Sequence, residues 1–575
     1  MLCLAAAGMS VLWAQTLQTQ DDTTRARELY AAGMSALRRA DLPAAHHAFE
    51  ELVRLAPSSP EAHNSLGWVL SNEGRAQEGI SHFRTAIKLK NDFPQAHLNL
   101  ANALAQQRNL AEAESEAREA VRLAPKDSET HRTLGRVLSF RGDLSGSISE
   151  FQAAQSLDPE RPELHDELGS VLVQAGKKEE AAEEFSQALR IQPSFASGQL
   201  HLGILRWQQQ SLSEAHELLA RASRALPQNA QARYYFGRIL QDENQPARAI
   251  AELRQAVELQ PNFAEAHQSL GLLLQRSGDV QGATAAFRRL VQLRPQDPDA
   301  HNNLGLAMLQ AGDAAGAISE FKSATQLRPE DPAYISNLGT AYLQKADFDS
   351  ALAQFQAALK VAPQDATAHY DLGLAFKMKD RLDDAIAEFR QAEQLSPDQP
   401  DVHYTLGVTL WQKGDFSAAE QELREAIKSK PDYSEAYYTL GTVLKQNGKF
   451  GEAATALRQA IAIEPGLVGA HTNLAAILRQ QGDTAGADAE NRQAQELFKS
   501  GNNLQAATFN ANSGARLLQT GDLDGAIAQF RAAISLAPDY APAHQGLAEA
   551  LERKGFKAEA QEEFRKAEEL TREKM

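Results

Sequence analysis

A chain of 575 residues with 43% hydrophobic but only 6% aromatic residues builds its core mainly from Ala and Leu, which suits closely packed helices. Its formal net charge of −17 argues against a sequence-independent grip on nucleic acid, which needs Lys and Arg to neutralise phosphates, and favours solubility. Cys3 is the single cysteine, so a processed chain has no disulfide, cysteine-ligated metal or cysteine nucleophile.

Residues 1–14, MLCLAAAGMSVLWA, are apolar and too short to span a bilayer as a helix. With the polar stretch Gln18–Asp22 behind them, they read as a signal peptide cleaved after Ala14 and short of its basic start. That reading implies export, to the periplasm or outside the cell. The alternative, a merely apolar terminus, leaves the chain in the cytoplasm. Residues 15–25 form a lead-in.

From Ala26 onward a 34-residue pattern returns sixteen times, with units starting at Ala26, Pro60, Pro94, Ser128, Pro162, Ala196, Ala230, Ala264, Pro298, Pro332, Ala366, Pro400, Ser434, Val468, Ala507 and Ala541. In the unit Pro298–Asp331, Leu304 and Gly305 hold positions 7 and 8, Gly312 position 15, Ala317 position 20, Phe321 position 24, Ala324 position 27 and Pro329 position 32. Apolar residues recur within it at three- and four-residue intervals, so the unit reads as two amphipathic helices, about Asp299 to Gln310 and Asp313 to Gln326.

Position 15 is Gly at 74, 142, 176, 278, 312, 414, 448, 482, 521 and 555 and Asn at 244, residues that accept the left-handed conformation ending a helix. Asp follows at 143, 279, 313, 415, 483 and 522, placed to cap the second helix. Proline at position 32 ends that helix. Glycine at position 8 lies inside the first helix, where it costs about 1 kcal/mol relative to Ala; close approach of the paired helix explains it. Ala101, Ala475 and Ala548 are the next smallest substitutes.

The frame slips once. Residues 502–506 are extra, and the preceding unit carries Asn491 at the aromatic position and Lys499 at the proline position. Gly501–Asn512 is therefore either a hinge or a second helix that overruns its end. The chain thus divides into fourteen repeats over 26–501, a spacer at 502–506, and two repeats with a charged capping helix over 507–575.

These residues at this period resemble the tetratricopeptide repeat. The resemblance implies an all-α, right-handed superhelical solenoid whose first helices line a concave groove through positions 2, 5, 9, 12 and 13. Carried over, it puts Tyr370, Tyr404 and Tyr438 in one stripe, with Lys377, Trp411, Lys445 and Arg479 beside it, and places Trp68 and Trp207 in the groove as well. Aromatic residues with Arg dominate recognition energetics, and the row of cations suits an acidic peptide or carboxylate ligand. The alternative is that these rings fill space between adjacent units.

At position 6, Asn99, Asn303, Asn337, Asn473 and Asn512 resemble the asparagine row of the repeat arm in O-linked N-acetylglucosamine transferases, which holds peptide backbone. The repeats run to the end of this sequence, so the resemblance implies peptide holding and not catalysis. Ten of the fifteen histidines fall at position 4. Successive copies sit one repeat apart, about 10 Å at ordinary helix spacing, so they read as packing residues rather than shared zinc ligands, which lie about 2 Å from their ion. Phosphate loops, nucleophile elbows and zinc-protease motifs are not found. The expectation is a non-catalytic scaffold for peptide segments or partner helices, without cofactor, metal, nucleic acid or stable membrane insertion of the mature chain. Its rivals are a recognition arm for a separately encoded enzyme, such as a glycosyltransferase, and a purely structural spacer. Oligomeric state is left open.

Overall fold

The computed structural model describes residues 20–572, so the signal-peptide reading of 1–14 and the first part of the lead-in lie outside the described residues. Among the described residues there are thirty-one helices and no strand, an all-α solenoid of tandem helix pairs. No helix among them is long and apolar enough to cross a membrane. Two compact units can be distinguished, residues 20–293 and residues 294–572.

In the first unit the opening helix begins at Gln20, six residues before the expected start. Asp21 and Asp22 occupy its first turn, where carboxylates oppose the helix dipole favourably. Residues 20–25 of the lead-in are thus helix. In the second unit the reference pair spans Pro298–Gln310 and Ala314–Leu327. Asp313 caps the second helix by accepting from the Gly316 N–H at 2.9 Å, and the other five aspartates expected to cap do the same.

All ten position-15 glycines have φ between 75° and 94°. Asn244, Ala40, Arg108, Gln210, Ala346 and Asp380 are held in the same left-handed region without being Gly, because the turn geometry is imposed by the helices on either side. At position 24, Phe49, Phe83, Phe151, Phe287, Phe321, Phe355 and Phe389 are the largest fully buried side chains. Each is worth about 1.5–3 kcal/mol of burial. The rings lie against the glycine of position 8: a Cβ on Gly305 would stand 2.6 Å from Cε1 of Phe321.

Within each unit, first helices touch the first helix of the next repeat, as Pro94–Gln106 touches Ser128–Arg141 and Pro298–Gln310 touches Pro332–Gln344. Among the described residues, second helices do not approach one another to the same extent. The first helices are therefore the crowded, inner layer.

The frame slip produces no loop. Residues 484–520 form one 37-residue helix that joins the second helix of one repeat to the first helix of the next. Residues 502–506, read above as a spacer, are helical, and the alternative of a hinge at Gly501–Asn512 gives way to the overrunning helix. With Lys499 in place of proline, nothing removes a backbone donor or clashes with the preceding turn.

Candidate functional site

The inner layer is sewn by polar pairs separated by 35 residues, from position 5 of one repeat to position 6 of the next. In the first unit, Asn99 Nδ2 donates to Asn64 Oδ1 at 2.9 Å. Arg132 grips Glu167 bidentately, with Nε 2.7 Å and Nη2 2.8 Å from its two carboxylate oxygens. His201 Nδ1 lies 2.7 Å from Asp166 Oδ1. In the second unit, Asn337 donates to Asn302 at 2.8 Å, and Tyr370 Oη lies 3.1 Å from Thr405 Oγ1.

This placement changes how the asparagine row reads. Asn99 and Asn337 face the preceding repeat, and Asn473 donates to Thr442 while accepting from Lys445 at 3.0 Å. Asn303 is half-buried and Asn512 exposed. The five do not form one uniform set of outward amides.

In the second unit, Tyr370, Tyr404 and Tyr438 are each half-buried, so every ring keeps a solvent face. Their inner faces are packed: Tyr370 against Phe389 at 5.6 Å, Tyr404 against Tyr433 at 5.1 Å, and Tyr438 over Gly469. Trp411, two turns after Tyr404 on the helix Pro400–Lys413, donates its indole N–H to Gln446 at 2.6 Å. Burial pulls the Lys377 ammonium below its ordinary pKa. Burial, with Asp365 adding to it, pushes the Asp371 carboxyl up to about 6. Arg479 is exposed and pairs with Asp488 of its own repeat at 3.2 Å.

The first unit holds a second aromatic cluster. Trp207 donates to Asp242 at 2.6 Å and meets the Tyr235 ring at 5.7 Å; the Arg238 guanidinium lies over its face at 4.9 Å. Arg238 also donates to Tyr234 Oη at 2.9 Å, and Tyr234 is buried, 6% exposed. Trp68 is half-buried between hydrophobic clusters of adjacent repeats. Arg238 at position 9 and Tyr433 at position 34 were not singled out from the sequence. The signal for Arg238 was available, since position 9 shares a helix face with position 5.

The position-4 histidines are clasps between repeats. Each of the ten turns Nε2 toward a backbone carbonyl six residues earlier, as His165 does to Pro159 at 3.2 Å and His97 to Asn91 at 3.0 Å. A carbonyl only accepts, so Nε2 carries the proton. Eight present Nδ1 to a Glu nineteen residues later, on the second helix, as His165 does to Glu184 at 2.7 Å. The Glu184 hydrogen bond outweighs burial and holds His165 above its ordinary pKa. At His97 burial is the largest influence but is overcome by Glu116. His267 lacks the Glu, and burial pulls it down.

The comparisons agree with this repeat frame. A tetratricopeptide repeat model matches residues 30–92, 132–194, 200–264, 236–298, 269–332 and 336–400. Others match 70–137, 378–443 and 434–467, and a TPR repeat model matches 514–555. No curated protein matches the chain. Among solved structures, MamA is 26% identical over 28% of this chain and 94% of its own, with a TM-score of 0.27. YrrB, described as a TPR protein with an unusual peptide-binding site, is 24% identical over 32% of this chain and 95% of its own, with a TM-score of 0.30. PilF of Pseudomonas aeruginosa is 21% identical over 36% of this chain and 95% of its own, with a TM-score of 0.34. Each of these aligns with part of the array. The family models span more than half of the chain in register with the helix pairs, and the protein belongs to the tetratricopeptide repeat family.

Proposed function

We propose that this protein is a non-catalytic scaffold that holds extended acidic peptide segments, or a partner helix, along the first helices of its second unit. Stacked repeats of this family offer extended surfaces on which one side-chain type recurs at fixed spacing. The observation that carries the reading is the half-buried run Tyr370, Tyr404, Trp411 and Tyr438, packed from behind and open in front. Rings held this way lose little side-chain entropy on binding. Lys377 and Lys445 flank them and supply the attraction for carboxylates.

The test is an array of acidic peptides probed with the intact chain and with the Tyr404→Ala/Trp411→Ala double variant. A hot-spot aromatic costs at least about 2 kcal/mol when truncated and such losses do not simply add, so captured peptides should bind the double variant at least about 30-fold more weakly, the loss of one such residue. Unchanged capture assigns the stripe to packing and favours the spacer. Co-purification of a transferase with the wild-type chain favours the enzyme-arm reading.

A further inference from the structure

Position 28 of the repeat, near the end of the second helix, faces the histidine clasp of the next repeat. Gln155 shows the reach: its amide nitrogen lies 3.0 Å from His165 Nδ1 and 2.8 Å from Glu184. The position is apolar in many units, as at Ile87, Val121, Leu189, Leu359, Ile427 and Ile461. In one unit it is Glu393, which places a second carboxylate on the His403–Glu422 pair. His403 Nδ1 lies 2.9 Å from Glu422 Oε2 and 3.7 Å from Glu393 Oε1, and the three donor atoms lie within 4.8 Å of one another.

We propose that Glu393, His403 and Glu422 bind one first-row divalent cation, of which Zn2+ is the simplest probe. Neutral imidazole with two carboxylates is a recognised donor set for such ions. The imidazole is oriented for it: Nε2 donates to the Pro397 carbonyl at 2.8 Å, so once the cation displaces the proton that Nδ1 shares with Glu422, the Nδ1 lone pair faces the carboxylates. Ligands at about 2.1 Å in a tetrahedron stand roughly 3.4 Å apart, a value bracketed by the separations observed. The His403 side chain is 6% exposed, whereas Glu393 is 29% exposed, which leaves a way in and room for a water ligand. Two carboxylates against one imidazolium also leave an uncompensated negative charge in a partly buried site. Arg390 opposes the cation and Glu425 adds to its attraction. Glu393 comes from the helix Leu382–Leu395, while His403 and Glu422 come from the next repeat, so the ion staples two repeats together.

The experiment uses untagged full-length chain stripped with chelator and titrated calorimetrically with Zn2+, with the visible spectrum of Co2+ as a report on coordination. The expected result is one ion per chain, although seven other His–Glu clasps are present, and a rise in Tm on loading. Glu393→Ile copies the residue at Ile427 and Ile461, and should weaken binding by more than the roughly 10–100-fold that loss of an outer-shell partner causes. Leu359→Glu, beside the His369–Glu388 clasp, should add a second ion. The proposal is overturned if wild type binds no stoichiometric ion, if Glu393→Ile binds as wild type does, or if stoichiometry follows the number of clasps.

Discussion

The same substitution, Gly to Ala, is expected to change sign along this chain according to what surrounds the missing Cβ. Gly305 lies inside the helix Pro298–Gln310, and Ala there improves helix propensity by about 1 kcal/mol. The new Cβ would stand 2.6 Å from Cε1, 2.8 Å from Cδ1 and 2.9 Å from Cζ of Phe321, whose side chain is fully buried. Overpacking of that kind costs about 1–3 kcal/mol, so the net effect is a loss of about 1 kcal/mol. Gly501 is also inside a helix, but a Cβ there meets nothing within 4 Å. Gly501→Ala should therefore gain about 1 kcal/mol. An array opens regionally, not as one two-state body, so the readout is hydrogen exchange with mass spectrometry on local peptides. Protection over residues 298–331 should fall about fivefold in Gly305→Ala, and protection around residue 501 should rise by a similar factor. Equal signs at both sites would refute the reasoning, because they would mean the Phe321 ring yields without cost.

Ala346 has φ 60° with no glycine to ease it. A left-handed L-residue costs about 1–2 kcal/mol, and the extra unfolded-state entropy of Gly returns about 0.4–1 of that. Ala346→Gly should raise local stability by roughly 0.5–1 kcal/mol, read as greater exchange protection across residues 332–365. The clasps predict opposite pH responses, read as protection factors corrected for intrinsic exchange. His165 faces Glu184 and Glu160 and is held above its ordinary pKa, so its contribution is full below about pH 6.5 and is lost as pH rises through the folded value. His267 faces Arg289 and is pulled below, so its contribution is present above about pH 6.5 and is lost as pH falls through the folded value. Protection near Pro159 should fall, and protection near Pro261 should rise, between pH 5.5 and 8; parallel responses would refute the assignment.

Much of the fold was legible because its determinants are local. Left-handed turns favour Gly or Asn, caps favour a short polar side chain, and proline stops a helix, and each of these can be read one residue at a time, although Ala40, Arg108, Gln210, Ala346 and Asp380 fill the turn without either. The small-for-large exchange across the helix pair was half legible. Ala101 stands where Gly usually does, and its position-24 partner is Ala117 instead of Phe, so no ring opposes the added methyl. The continuous helix 484–520 was ambiguous because a missing proline permits helix without demanding it. The 35-residue rungs were not legible, since they depend on how far one repeat is offset from the next. That offset is a tertiary quantity with no local residue signature.

The rungs bear directly on which first-helix residues remain to recognise a partner under the proposed function. Trp207 and Trp411 occupy the same repeat position and both donate an indole N–H to the residue 35 places on. Trp207 donates to a carboxylate, Asp242, and carries the Arg238 guanidinium on its face, so a ligand must displace an internal cation–π contact to reach it. Trp411 donates to the neutral amide of Gln446, and Tyr404 on the same helix face is backed by Tyr433. A carboxylate-bearing segment arriving there meets preorganised rings and the nearby Lys445, whose bond to Asn473 is an exchangeable neutral partner rather than a salt bridge. Position in the repeat therefore nominates a residue for the groove, and the occupant of the next repeat decides whether it is already engaged. On that criterion the proposed binding surface belongs to the second unit, where Trp411 is held by a neutral partner and Trp207 of the first unit is held by charged ones.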